Sequence, residues 1–146
     1  MGAVSGSLAD NVGVLQVNTG TASSTPLAGT AVKVDTRSQL MFVFCLGDMA
    51  NETIDCIVET CDSNGSNNVS LKAATQLAGS ASANDSKQVV IGIDANEVAA
   101  SGKSHVRGKI TTGNTVGGTC TIVALGTPRY GPASGADNAT VLEVKV

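Results

Sequence analysis

The stretch Gln39-Leu40-Met41-Phe42-Val43-Phe44-Cys45-Leu46 opens on its one polar residue and holds both phenylalanines of the chain. An apolar run of this length, rich in β-formers and bounded by small polar segments, predicts a strand. Both of its faces are apolar. That predicts cover on both sides, either from a central place in a sandwich or from a partner on one side.

Segments of the same kind recur outward from this run. Glu52–Cys61 is a half-buried strand in which Ile54, Cys56 and Val58 alternate with Asp55, Ile57 and Glu59. Ile57 breaks that alternation and marks a second contact. Asp62–Asn68 reads Asp-Ser-Asn-Gly-Ser-Asn-Asn, a strong turn signal. Leu71–Leu77 predicts a weak or edge strand, and Lys87–Ile93 a further one. Asp94 and Glu97 have the spacing of a capping box, so Asp94–Ala100 predicts a helical turn. Lys103–Thr111 predicts a strand with Val106 and Ile110 facing inward, and Cys120–Leu125 another.

Towards the N-terminus, Val12–Val17 and Ala28–Val34 predict strands, with Asn18–Thr25 as a loop between them. Residues 1–11 are small and polar and predict a flexible arm. Thr127–Asp137 predicts an irregular connection, and Val141–Val146 a last strand. Together these give an all-β, single-domain sandwich or jelly-roll-like barrel of about eight strands over residues 12–146, with little helix.

Composition narrows the function. The chain has 146 residues, 9 basic and 12 acidic, for a formal charge of −3. A net acidic chain lacks the positive charge a general nucleic-acid binder needs. Aromatics are 2% of residues, too few for a base- or sugar-stacking platform. No run approaches a membrane span, and the N-terminus shows no secretory pattern, so synthesis in a cytoplasm is expected. The Asn-x-Ser/Thr triplets at Asn51, Asn68, Asn84 and Asn138 read as chance matches in an Asn- and Ser-rich chain.

Reactive constellations are missing from the pattern. His105 is the single histidine, and no Gly-x-Ser-x-Gly elbow accompanies it. The Gly113–Gly118 loop lacks the Lys-Ser/Thr of a phosphate cradle and reads as a hairpin loop. Cys45, Cys56, Cys61 and Cys120 form no CxxC pair, so no metal site or cofactor is expected and buried free thiols are. If a disulfide forms, Cys45 with Cys56 or with Cys120 is the pairing to test. No enzyme activity is expected.

Lys103, His105, Arg107 and Lys109 alternate and share one face of their strand. The stripe has two readings. It docks an acidic surface, or it pairs with Asp55 and Glu59 on a neighbouring strand.

Four segments read together resemble bacteriophage capsid decoration (head-stabilisation) proteins. Thr30–Ser38 carries Lys33-Val34-Asp35 and leads into Gln39–Gly47. Ile57-Val58-Glu59-Thr60-Cys61-Asp62-Ser63 is similar to the family's strand and acidic turn, with Thr60-Cys61 in place of the usual polar pair. Gln88–Asp94 is followed by His105–Thr111. Leu125-Gly126-Thr127-Pro128-Arg129-Tyr130-Gly131-Pro132-Ala133 is similar to the Gly-x-Pro-Arg-Tyr-x-Pro ending of such virion proteins and is the most distinctive of the four. The resemblance implies a homo-oligomer, with a trimer favoured, on the exterior of an icosahedral head, clamping neighbouring copies of the phage major capsid protein. The alternatives are a head-fibre base, a tail-tube or baseplate component, or a surface-binding adhesin module.

Two contact regions are expected. Met1–Val17, with Val12 and Val14, is expected to add as a strand to a capsid or neighbouring subunit. Pro128–Pro132 presents Arg129 and Tyr130, residue types enriched at interface hot spots. Tyr130 has a second reading, as a ring capping the core with its hydroxyl satisfied.

Overall fold

A computed structural model describes residues 12–34, 37–49, 52–78, 83–113 and 117–128. The arm at 1–11, the loop beyond Pro128, and the expected strand Val141–Val146 lie outside them, as do Arg129 and Tyr130. The strands in chain order are β1 (Gly13–Ala22), β2 (Leu27–Ala28), β3 (Val32–Lys33), β4 (Arg37–Leu46), β5 (Ile54–Cys61), β6 (Val69–Ala73), β7 (Gln88–Asp94), β8 (His105–Thr112) and β9 (Gly118–Pro128). The helix α1 (Ala95–Ala100) follows β7 directly. The expected all-β sandwich is what forms.

Every strand pairing among the described residues is antiparallel. One sheet has the order β1-β9-β4-β7. The other has five strands in the order β2-β8-β5-β6, with β3 also paired to β8. Alternation along each strand sends one set of side chains between the sheets. Leu40, Phe42, Phe44 and Leu46 of β4 enter the core with Ile122 of β9, opposite Ile54, Val58, Val106 and Ile110 of the other sheet. Phe42 and Phe44 lie side by side, ring centroids 6.5 Å apart. Gly108 of β8 makes room for them. A Cβ there would stand 2.7 Å from Ile122 Cγ2 and 3.1 Å from both rings.

α1 begins on the expected capping box. The Asp94 carboxylate accepts from the Asn96 N–H at 2.7 Å, and the Glu97 carboxylate from the Asp94 N–H at 2.9 Å. The last helical residues reach Ser101, and Gly102 takes a positive φ of 75° to turn the chain into β8.

Three expectations need correction. Asn18–Ala22 is strand, not loop. The β-branched Thr19 and Thr21 pair with Thr121 and Thr119, and the Thr19 and Thr121 hydroxyls bond at 2.9 Å. Gly20, read as a turn residue, leaves room for Leu27, whose Cδ1 would otherwise lie 2.9 Å from a Cβ. The strand expected over Ala28–Val34 is two short ones, because the Asn18 side chain accepts from the Thr30 N–H and holds the chain out of register between them. Finally, β4 is central in its sheet, but the described residues cover only one of its faces. Its even-numbered side chains are buried, whereas Met41 is 38% exposed and Val43 and Cys45 are partly so.

Candidate functional site

The outer side of the five-stranded sheet carries the basic stripe. Register places Arg107 opposite Glu59 and Lys109 opposite Ile57. Glu59 is buried beneath both cations. Arg107 Nε donates to its Oε2 at 3.1 Å, and Lys109 Nζ donates to its Oε1. Lys103 bonds Asp62, in the turn after β5, at 2.5 Å. The Lys103 ammonium, and then the Asn67 amide, hold the Asp62 carboxyl below its ordinary value. Asp55 instead accepts from the Gln76 amide at 2.9 and 3.0 Å. The cross-strand reading of the stripe therefore describes its geometry, with Asp62 as the partner that the sequence pattern did not single out.

His105 shares a bond with the adjacent Ser104 hydroxyl, Nδ1 to Oγ 2.9 Å. Among the described residues no carboxylate is bonded to that ring, so the pair lacks the third group that orients a catalytic base. No group of three or more metal-ligating side chains gathers among the described residues. No helix of the described residues is long and apolar enough to cross a membrane.

None of the four cysteines is paired in the structure. Cys56 and Cys120 point into the core from opposite sheets, and Cys61 is fully buried. Burial, with the neighbouring Cys120 thiol adding to it, pushes the Cys56 thiol up to about 12. Burial also raises Cys61 and Cys120. Cys45 is turned the other way, onto the outer face of its sheet. The disulfides weighed from sequence, Cys45 with Cys56 or Cys120, thus join residues on opposite sides of a sheet, which alternation forbids.

The outer face of the four-stranded sheet is the second surface. Val17 pairs with Val123, Val123 with Val43, and Val43 with Val90, a row of four valines across all four strands. On one side of it run Val14, Leu125, Met41 and Gly92. On the other run Thr19, Thr121, Cys45 and Gln88. These three rows contain no charged residue. Val90 is 57% exposed and Val17 47%. Nothing lies within 4 Å of where a Gly92 Cβ would stand.

The third feature is one end of that sheet. Gly13 pairs with Gly126, and Pro128 closes β9 opposite Arg37. Val12 and Thr127 line one end of a groove of about 590 Å³ that continues along Met41, Val90 and Leu125. Lys72 reaches this groove from β6, donating to the Gly92 carbonyl at 2.9 Å and to Glu97. It thereby covers part of the β7 edge with a charge. From Gly13 onward the expected donor segment is β1 of the chain's own sheet, so Val14 already has its strand partner in Leu125. Residues 1–11 of the expected donor segment lie outside the described residues.

No family model matches the chain, and no curated protein does. Solved structures are similar at low identity. A protein of Bacillus endospore appendages, described as disulfide-linked pili, is 11% identical over 87% of this chain and 99% of its own, with a TM-score of 0.43. The VP2 subviral particle of infectious bursal disease virus is 10% identical over 84% of this chain and 33% of its own, with a TM-score of 0.42. The Gt strain of that virus gives 11%, 84%, 34% and 0.39. The chain thus spans about a third of the viral chains. At this level of likeness these neighbours carry no argument about its activity.

Proposed function

We propose that this chain is a structural virion protein that binds the outer surface of an icosahedral phage head and holds neighbouring major capsid subunits together in the expanded shell. The observation that carries this reading is that the start of β1 lies beside the end of β9. Gly13 and Gly126 are paired, so residues 1–11 and the Arg129-Tyr130 motif join adjacent strands at one end of one sheet. That motif is also the most distinctive of the four segments that resemble head-stabilisation proteins. Two short contacts from one end suit a clamp. Each binds weakly, and the second acts at high effective concentration once the first has formed. Binding to the expanded shell alone would stabilise that state by mass action.

The role is one of binding, not turnover. The basic stripe is a secondary candidate at most, because Lys103, Arg107 and Lys109 each hold an internal carboxylate. The test is a pair of variants. Deleting residues 1–11, or replacing Arg129 and Tyr130 by Ala, should each abolish occupancy on heads while leaving the melting temperature within a few degrees. Unchanged occupancy in both variants would sink the reading. Lost occupancy with a collapsed melting temperature would assign Tyr130 to the core instead.

A further inference from the structure

We infer that Asn64 is a site of spontaneous modification: its side chain closes with the Gly65 backbone nitrogen to a cyclic imide, water opens the imide to aspartate or isoaspartate, and Ser66 promotes the closure. This goes beyond the head-binding reading and does not rest on it, because it uses only the turn between β5 and β6.

Asn64-Gly65 is the one Asn-Gly pair of the chain. Closure brings the backbone nitrogen of the following residue onto the asparagine Cγ, and a Cβ on that residue crowds the approach. Gly65 carries none, and its φ of 77° is a backbone state that other residues rarely hold. Asn64 is exposed, so water for the opening step has free access.

The Asn64 Oδ1 accepts from the Ser66 N–H at 3.1 Å and from the Ser66 hydroxyl at 2.6 Å. A backbone N–H can only donate, which fixes this atom as the oxygen and not the amide nitrogen. Negative charge gathers on that oxygen when the Gly65 nitrogen adds to Cγ. Donors already aimed at it act there as an oxyanion hole does. Against this, the Gly65 N–H donates to the Asp62 carbonyl at 2.9 Å and must be released before it loses its proton. Ser63, Asn64 and Ser66 are all exposed, so water replaces that carbonyl as partner at small net cost.

The chemistry needs only water and hydroxide. Hydroxide takes the Gly65 N–H proton, and the nitrogen bonds to Asn64 Cγ. The Cγ–Nδ2 bond breaks, and Nδ2 takes a proton from water and leaves as ammonia, which restores the hydroxide. Water then adds to one imide carbonyl or the other. One opening gives aspartate, and the other routes the chain through the side-chain carbon and gives isoaspartate. Either product adds one carboxylate, taking the formal charge from −3 to −4. It forms beside the basic stripe, since Arg107 Nη1 would lie 3.5 Å from a Gly65 Cβ. Isoaspartate also lengthens the backbone inside a turn closed by the Asp62 N–H on the Ser66 carbonyl at 2.9 Å. Asp62 is the partner of Lys103, so the change reaches that ion pair.

The experiment incubates the full chain at mildly alkaline pH and follows conversion by peptide mass spectrometry, with isoaspartate read by an isoaspartyl methyltransferase. Wild type, Ser66→Ala and Ser66→Thr are each run folded and in urea, where the turn is gone, and thermal melts establish that all three fold. The folded wild type should convert at Asn64 ahead of every other asparagine. Ser66→Ala should slow the folded reaction at least about threefold and leave the rate in urea unchanged, because it removes one donor from the oxygen. Ser66→Thr keeps the hydroxyl and should react close to the wild-type rate. Conversion confined to urea overturns the inference, because the Gly65 bond to Asp62 then protects the site. Equal folded rates for wild type and Ser66→Ala overturn it as well. A Thr variant as slow as the Ala one also does so, since the shape of the turn and not the hydroxyl then sets the rate.

Discussion

Gly13 and Gly126 face each other across the β1–β9 ladder, so β1 begins beside the end of β9 at one end of the sheet. Both glycines are buried. The proposed head contacts, residues 1–11 and Arg129-Tyr130, join the chain at that end. The exposed Val17 and Val90 lie on the outer face of the same sheet.

Gly108→Ala should destabilise the fold without touching either surface. The added methyl would stand 2.7 Å from Ile122 and 3.1 Å from Phe42 and Phe44. Overpacking of this kind costs about 1–3 kcal/mol. Thermal unfolding should show a loss of about 2–10 °C in a domain of this size. An unchanged melting temperature would mean that the two sheets can separate freely at this point.

Cys45 should be the one thiol of the folded protein that reacts readily with a maleimide at neutral pH. Cys56, Cys61 and Cys120 are buried and their thiols are held protonated. A group whose value is raised on folding stabilises fully below its unfolded value. Here that stability is present below the ordinary 9.0 and lost as pH rises towards about 12. Mass spectrometry should find one label on the native protein and four after denaturation. Two or more native labels would contradict the packing of the core.

Glu59→Ala should cost more than Lys109→Ala. Glu59 is 5% exposed and holds both Arg107 and Lys109, so its loss strands two cations. Removing Lys109 leaves Arg107 still bonded to Glu59. The first change should cost about 1–3 kcal/mol, the second clearly less. Urea midpoints at equal slope would measure both, and equal losses would show that the carboxylate is not shared.

Acid should weaken the fold modestly. The Lys103 ammonium and the Asn67 amide lower Asp62 below its ordinary 3.8. The Asp94 backbone N–H, followed by Lys72, lowers Glu97 below 4.5. Values depressed on folding give stability that is complete above the unfolded values and lost as pH falls through the folded ones. The melting temperature should therefore hold from neutral to about pH 5 and decline below about pH 4. Both groups are solvent-exposed, so the effect is small, and Asp62→Asn should flatten part of it. A melting temperature that rises on acidification would contradict both pairings.

Local pattern carried the reading where one face was polar. In β5 and β8 alternation alone identified Ile54, Cys56, Val58, Val106 and Ile110 as core, and the Asp94–Glu97 spacing found α1. It failed where the deciding contact lay far along the chain. Asn18–Ala22 has turn composition, yet Thr119 and Thr121 pull it into the sheet. It also failed in β4, where both faces are apolar. Nothing local distinguishes Leu40, Phe42 and Phe44 from Met41, Val43 and Cys45. The larger rings took the core, and Cys45 was left outside, away from Cys56 and Cys120. The basic stripe was legible together with Glu59, because the two strands had compatible alternation. Asp62 was read only as a turn residue, although that turn carries it to Lys103.

The proposed head binding is tested most directly by co-sedimentation of the purified protein with unexpanded and expanded phage heads, counting bound copies per capsid subunit. Head binding predicts saturation at a fixed, symmetry-related ratio on expanded heads and little on unexpanded ones. No binding to either form, with the protein recovered instead from purified tails, would contradict it.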